Sequence, residues 1–270
     1  MRFGIVCNPH KKKSLALSKD VYTFLSQHGD VFAEEQTAQF LGIKSYTLLE
    51  LNQKSDIVVT IGGDGTIIKT AQAVEKPIFA INSGGMGFLC EVESKYAVEG
   101  LERIVYGKYT IEERAKLKVL FNGKRLPDAA NEMTIQTARI AKIMYFQLFV
   151  EEELIDTLGA DGVIIATPTG STSYALSVGG PIMDPAVNAM VVAPLAPFRL
   201  SARPWIVPLQ KKIRVTVLSK SKETKLVIDG DYALDVSPKD EVVVTGSERK
   251  ICFVRFGESF YQMVRLKLVR

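Results

Sequence analysis

The chain is poor in the residues that build metal cages and disulfide frameworks. Its three cysteines, Cys7, Cys90 and Cys252, lie far apart with no C-x-x-C pair, and its two histidines, His10 and His28, match no zinc spacing. A disulfide scaffold and a structural zinc site are therefore not expected. No apolar run approaches the roughly 18 residues that a membrane span needs, and the apolar stretch at residues 3–7 is too short for a signal peptide. An excess of one charge is missing as well: 34 basic against 30 acidic residues leave a net +4, too small and too dispersed for a nucleic-acid binder. A local positive pocket for a small anion remains compatible with that balance. These absences point to a cytoplasmic protein with neither a membrane nor a nucleic-acid partner. With 270 residues and 47% hydrophobic content, the chain has room for one large domain or two modest ones.

Pattern divides the chain in two. Over residues 1–109, β-branched runs at 3–7, 57–61 and 78–81 alternate with helical segments at 18–27 and 66–74, a rhythm that predicts a Rossmann-like parallel sheet with helices on its faces. Over residues 110–250 the texture becomes short strand-like segments at 116–121, 132–137, 144–150, 163–166, 212–218, 225–228 and 241–245, with one helix at 172–178. That predicts a mostly β second domain, and thus an α/β plus all-β fold. No internal repeat or low-complexity tract is present.

The sharpest motif is Gly62-Gly63-Asp64-Gly65-Thr66, where a buried-looking strand breaks into a glycine turn and opens a helix. Bare amides at a helix start attract phosphate, and the glycines allow positive φ and close approach of a ligand. Asp64 is the odd member, because a carboxylate among such amides repels the anion they hold. It makes sense as a general base for a nucleophilic hydroxyl, or as a group holding Mg²⁺ through water. The plainer alternative is a tight turn with Asp64 capping the helix. Competing nucleotide signatures are missing: there is no G-x-x-x-x-G-K-[ST], no G-x-G-x-x-G between strand and helix, and no His-Arg-Asp or Asp-Phe-Gly.

Four further clusters carry polar chemistry. Thr167-Pro168-Thr169-Gly170-Ser171-Thr172-Ser173 follows a strand and gathers hydroxyls suited to a ribose or pyrophosphate, although capping turns share that composition. Asn131-Glu132 sets an amide beside a carboxylate, a pair able to read an adenine edge and bridge a ribose diol. The loops 8–13, with three lysines, and 82–89, rich in glycine, each follow a strand at the sheet's carboxyl edge, where α/β proteins bind ligands.

Gly62 to Thr66 resembles a superfamily that contains NAD kinases, diacylglycerol-type and sphingosine-type lipid kinases and phosphofructokinases. Asn131-Glu132, Asp161-Gly162, the run from Thr167 to Pro181, Leu200 to Pro204 and Asp229-Gly230 are similar to the NAD kinase motifs in order and spacing. This resemblance covers residues 55–232 and implies transfer of the terminal phosphoryl of ATP, or of polyphosphate, to the 2′-hydroxyl of the adenosine ribose of NAD, giving NADP. A lipid kinase is the enzyme alternative, and a non-catalytic NAD(H)-binding sensor the other. The resemblance implies Asp64 as base; Gly63, Asp64, Gly65 and Lys69 at phosphate; and Asn131, Glu132, Lys142, Asp161, Thr172, Ser173, Tyr174, Ser177 and Asp231 at NAD. It also implies Mg²⁺ or another divalent cation brought with the donor, residues 251–270 packing back on the first domain, and a homodimer or homotetramer in which Asp161 reaches a neighbour's site. Ser173 and Asp231 depart from the family, which often has Ala and Gln there.

Overall fold

Four parallel strands form the inner part of the first folding unit, and their sequences say why. The computed structural model describes residues 1–85, 87–139, 142–218, 223–257 and 259–268. In chain order the elements are β1 (Arg2–Cys7), α1 (Lys12–Ser26), β2 (Asp30–Glu34), α2 (Glu35–Leu41), β3 (Ser45–Tyr46), α3 (Leu48–Lys54), β4 (Ile57–Gly62), α4 (Asp64–Ala73), β5 (Ile78–Asn82), β6 (Val92–Glu93), α5 (Ala97–Val105) and β7 (Thr110–Phe121). There follow β8 (Lys124–Arg125), β9 (Glu132–Thr137), β10 (Met144–Val150), β11 (Glu153–Ala160), β12 (Gly162–Ala166), α6 (Tyr174–Ser177), β13 (Ala189–Leu195), β14 (Trp205–Pro208), β15 (Ile213–Val217), β16 (Thr224–Ile228), β17 (Tyr232–Val236), β18 (Val242–Arg255) and α7 (Phe260–Leu268). One unit comprises Met1–Arg114 with Ile251–Arg270, the other Ala115–Lys250, so the boundaries fall inside β7 and β18.

In the first unit the strand order is β3-β2-β1-β4-β5, with every neighbouring pair parallel. β4 is buried along its whole length and β1 from its second residue on, the continuous apolar runs expected when helices cover both faces of a sheet. α1 buries Ser14, Ser18, Val21 and Leu25, a stripe of helical spacing. The core joins Phe3, Ile5, Leu25, Val59, Phe79 and Leu101 with Val254, and Phe253 pairs with Ile78 at the sheet's other side. From β1 the chain works outward to β3, then returns to lay β4 on the opposite side of β1. Loops after β1 and β4 therefore diverge, creating the switch point where open α/β sheets bind ligands.

The second unit is antiparallel. One sheet runs β14-β13-β12-β9-β16-β17, and β11-β10-β15 continues onto Val242–Val244 at the head of β18. β15 and β16 alternate buried and less buried residues with period two, as strands with one covered face do. β12 is covered on both sides: Val163 and Ile165 join the main core, while Ile164 and Ala166 pack with Ala175, Met183 and Val191.

Several elements depart from the sequence expectation. The helix after the glycine turn begins at Asp64 rather than at residue 66, because Gly63 takes the extended cap position. The helix expected at 172–178 is a 3₁₀ turn, Thr169–Thr172, followed by the single turn of α6. Hydroxyls in this segment bond back to the local backbone, Ser171 Oγ to the Pro168 carbonyl at 2.6 Å and Thr172 Oγ1 to that of Thr169 at 3.2 Å, which favours tight turns over a longer helix.

Candidate active site

In the first unit, β4 delivers Gly62 and Gly63 to the start of α4. A Cβ on Gly62 would stand 2.3 Å from Thr66 Oγ1, so that glycine lets the helix fold onto its own strand. None of Gly62, Gly63 and Gly65 has positive φ, contrary to the freedom expected of them. What Gly63 and Gly65 provide is open space, since a Cβ there would meet nothing within 4 Å. Gly63 gives α4 no side-chain cap, and the first amides of the helix are left for another acceptor. Asp64, the first helical residue, does not cap the helix. Its Oδ2 accepts from the Phe88 amide at 2.8 Å and its Oδ1 from the Leu89 amide at 3.2 Å.

Beside α4 lies a cleft of about 390 Å³ at the switch point, lined by Lys11, Glu34, Leu48, Gly63, Gly65 and Lys69 among others. Lys69 is exposed one turn into α4, and the Lys11 ammonium donates to the Gly84 carbonyl at 2.8 Å. Glu34 was not singled out from sequence. It ends β2 and caps α2, its Oε2 accepting from Gln36 and Thr37 at 3.2 and 3.4 Å, and the signal for it was an acidic residue closing a strand just before a helix. Met86, within the loop 82–89, lies outside the described residues.

In the second unit the polar clusters converge. Glu132 opens β9 opposite Ala166, the last residue of β12, so Asn131-Glu132 and the turn that begins at Thr167 share one end of the sheet. The Thr167 amide donates to the Asn131 carbonyl at 2.8 Å, and its hydroxyl to the Ala130 carbonyl at 2.8 Å. Gly170 is required by contact: a Cβ there would fall 2.1 Å from the Asn131 carbonyl oxygen. Asp229, on the turn between β16 and β17, accepts from the amides of Ala130, Asn131 and Glu132 at 2.8, 2.8 and 3.1 Å, and this turn carries the exposed Asp231 to the same end.

Glu132 is only 8% exposed. Burial pushes its carboxyl up to about 7; the Asp229 charge adds to this, and the Ser173 hydroxyl and Tyr174 amide draw it back. Among the described residues its Oε2 has no hydrogen-bond partner. A buried oxygen left bare is open to a donor from a ligand or a water molecule. Thr172, Ser173, Tyr174 and Ser177 lie along the turn that follows β12, Thr172 and Ser173 half-buried, Tyr174 and Ser177 exposed. Asp161 and Lys142 stand elsewhere. Asp161 precedes β12, five residues or about 17 Å of strand from Ala166. Lys142 precedes β10, whose first residue pairs with Ala160, so the two share the opposite end from Glu132.

A parallel sheet with an uncapped phosphate-type turn, joined in sequence to an antiparallel unit with a buried carboxylate, defines a nucleotide-handling α/β plus all-β protein. The chain matches the ATP-NAD kinase N-terminal domain over residues 3–109 and the ATP-NAD kinase C-terminal domain over residues 130–256. It is 40% identical over 277 residues to an NAD kinase of Methanothermobacter thermautotrophicus, covering 100% of this chain and 96% of that protein. With an NAD kinase of Thermococcus kodakarensis it shares 41% identity over 274 residues, 99% of each. Among solved structures it resembles an NAD kinase from Archaeoglobus fulgidus in complex with ATP, at 27% identity and a TM-score of 0.81, with 98% and 99% coverage. Yeast NADH kinase complexed with NADH, at 23% identity, shares the fold with a TM-score of 0.89, over 100% of this chain and 87% of that one. The chain belongs to the NAD kinase family.

Proposed function

We propose that the protein is an NAD kinase that moves the terminal phosphoryl group of ATP onto the 2′-hydroxyl of the adenosine ribose of NAD. The observation that carries this reading is Asp64 itself: a carboxylate fixed at the head of an uncapped helix, in the one place where phosphate and a hydroxyl nucleophile have use for it. In the reaction the O2′–Pγ bond forms as the bond from Pγ to the β–γ bridging oxygen breaks. ADP leaves, and the hydroxyl proton passes to an Asp64 oxygen. The amides of α4, with Lys11 and Lys69 on the cleft wall, take up charge on the donor phosphates.

The first unit serves the donor in this reading and the second unit NAD. Glu132 Oε2 takes a ribose hydroxyl, Asn131 the adenine edge, and the turn from Thr172 to Ser177 with Asp231 lines the dinucleotide. Asp161 and Lys142 serve the site of a neighbouring copy in a homodimer or homotetramer. Supporting this, Phe198, 80% exposed, lies close to Asp161 in the chain's fold, its amide donating to the Gly159 carbonyl at 2.9 Å. We take the protein as cytoplasmic; among the described residues no helix is long and apolar enough to cross a membrane.

Mg²⁺ or another divalent cation accompanies the donor. Among the described residues no three His, Cys, Asp or Glu side chains gather into a metal cage; the cleft beside α4 is lined by one carboxylate, Glu34, and Asp64 stands between its lining residues Gly63 and Gly65. That donor set fits a hard cation held mainly by phosphate oxygens and water. When bound, the ion offsets the charge on the β- and γ-phosphate oxygens. Purified protein given NAD, Mg²⁺ and either ATP or polyphosphate tests the function. NADP formation is expected; NAD binding with no NADP would leave a sensor, and phosphate from labelled ATP in an organic-extractable product a lipid kinase.

A further inference from the structure

The second glycine loop is fastened at several points. As it leaves β5, the Asn82 side chain closes the turn, Nδ2 donating to the Gly85 carbonyl at 3.0 Å and Oδ1 accepting from the Gly84 amide at 2.9 Å. The Ser83 amide donates to the Gly62 carbonyl at 3.0 Å, and the buried Ser14 hydroxyl donates to that of Ser83 at 2.7 Å. Beyond the loop, the Glu91 amide donates to the Ala80 carbonyl at 2.8 Å. Between these anchors the Phe88 and Leu89 amides meet one oxygen each of Asp64.

The loop's glycines are there for different reasons. Gly84 and Gly85 have φ of +119° and +111°, so their backbones need glycine. Gly87 lies outside that region, and its constraint is space alone. A Cβ on Gly87 would stand 2.5 Å from Asp64 Oδ1, 3.0 Å from Cγ and 3.3 Å from Oδ2, its three nearest heavy atoms all belonging to that carboxylate.

We propose that Gly87 is a positioning residue for phosphoryl transfer: its bare Cα lets the loop bring two amides onto Asp64 and hold the carboxylate in one orientation. The proposal rests on the reading of Asp64 as the base. With the loop anchored on both sides, an added methyl group is accommodated by swinging the Asp64 carboxylate aside. That end of a short side chain moves with little strain on the fold. The chemistry is less forgiving, because a base works only within hydrogen-bond reach of the proton it takes, and a misplacement of about 1 Å can cost ~10²-fold in rate.

The test is a cycle of Gly87→Ala, Asp64→Ala and the double variant, assayed for NADP formation at saturating ATP. For Gly87→Ala, kcat is expected to fall ~10²-fold with KM for NAD within about twofold of the parent. In the Asp64→Ala background, where no carboxylate is left to displace, Gly87→Ala is expected to remove no further activity. Amide hydrogen exchange reads the clamp directly: Phe88 and Leu89 should exchange faster in Gly87→Ala while the β4 amides keep their protection. Gly87→Ala with parental kcat, a multiplicative loss in the double variant, or equal loss of protection in β4 would each overturn the positioning role. Parental kcat in Asp64→Ala would instead remove the base, and the proposal with it.

Discussion

The carboxylate of Asp229 fixes the backbone at Asn131: Oδ1 accepts from the Asn131 amide at 2.8 Å and the Glu132 amide at 3.1 Å, while Oδ2 takes the Ala130 amide at 2.8 Å. Asp229 itself has φ +49°, a turn conformation that Asp tolerates. Because three consecutive donors converge on one side chain, Asp229→Ala strands them together. A loss of about 2 kcal/mol in unfolding free energy and a weaker affinity for NAD are expected, read by denaturant titration and by calorimetry with NAD. Unchanged affinity would mean that Asn131 and Glu132 do not depend on this clamp.

Asp64→Asn keeps the size of the side chain and removes its basicity. A fall in kcat of order 10² to 10⁴ is expected, with the dissociation constant for NAD within a few-fold of the parent. Parental turnover would remove Asp64 from the mechanism.

Much of this organisation was legible in the chain. Thr, Gly and Asp runs at strand ends marked the loops correctly, and β1, β4 and β5 stood out because their apolar residues are continuous. β13 escaped: buried on nearly every residue, it lacks the alternation that marks one-sided strands, and Pro194 interrupts it near its end. β2, with Asp30 and Glu34 at its ends, looks like a polar connector until β1 pairs with it. The two carboxylate clamps were out of reach for a different reason. Asp64 meets amides 24 and 25 residues away and Asp229 amides 97 to 99 residues away, and no local pattern encodes which backbone a distant carboxylate will find.

Glu132 gives folding a dependence on pH whose sign follows from its raised pKa. Between the ordinary carboxyl value of 4.5 and about 7, the folded protein holds a proton there that the unfolded chain has released. Its contribution to stability is therefore complete below the unfolded value and declines as pH rises through 7. At full ionisation the penalty is roughly 3 kcal/mol. Glu132→Gln has no proton to lose, so relative to the parent its melting temperature is expected to gain between pH 5 and pH 8. An equal difference at both pH values would show that Glu132 keeps an ordinary pKa.

Glu112 sits between two guanidinium groups, accepting from Arg114 at 3.1 Å and from Arg255 at 2.6 Å through one oxygen, Oε2, while Arg255 also pairs with the buried Glu91 at 3.0 Å. Burial pushes the Glu112 carboxyl up, but the charges of Arg114 and Arg255 together outweigh it and hold it below the usual range. Arg114 is 6% exposed, so loss of the Glu112 charge leaves it beside the like charge of Arg255 with little water to screen it, while Arg255 keeps its pair with Glu91. Glu112→Gln is expected to lower unfolding free energy by about 1 to 3 kcal/mol, less than for a fully buried pair because the Glu112 side chain is 33% exposed and Arg255 keeps Glu91. Because the folded pKa is depressed, this contribution is present above the ordinary carboxyl value and fades as pH falls through the folded one. Urea titrations of parent and variant at pH 7 and at pH 4 check both parts: the gap between them should narrow at the lower pH. A gap that stays constant would show that shape, not charge, is what Glu112 supplies between the two arginines.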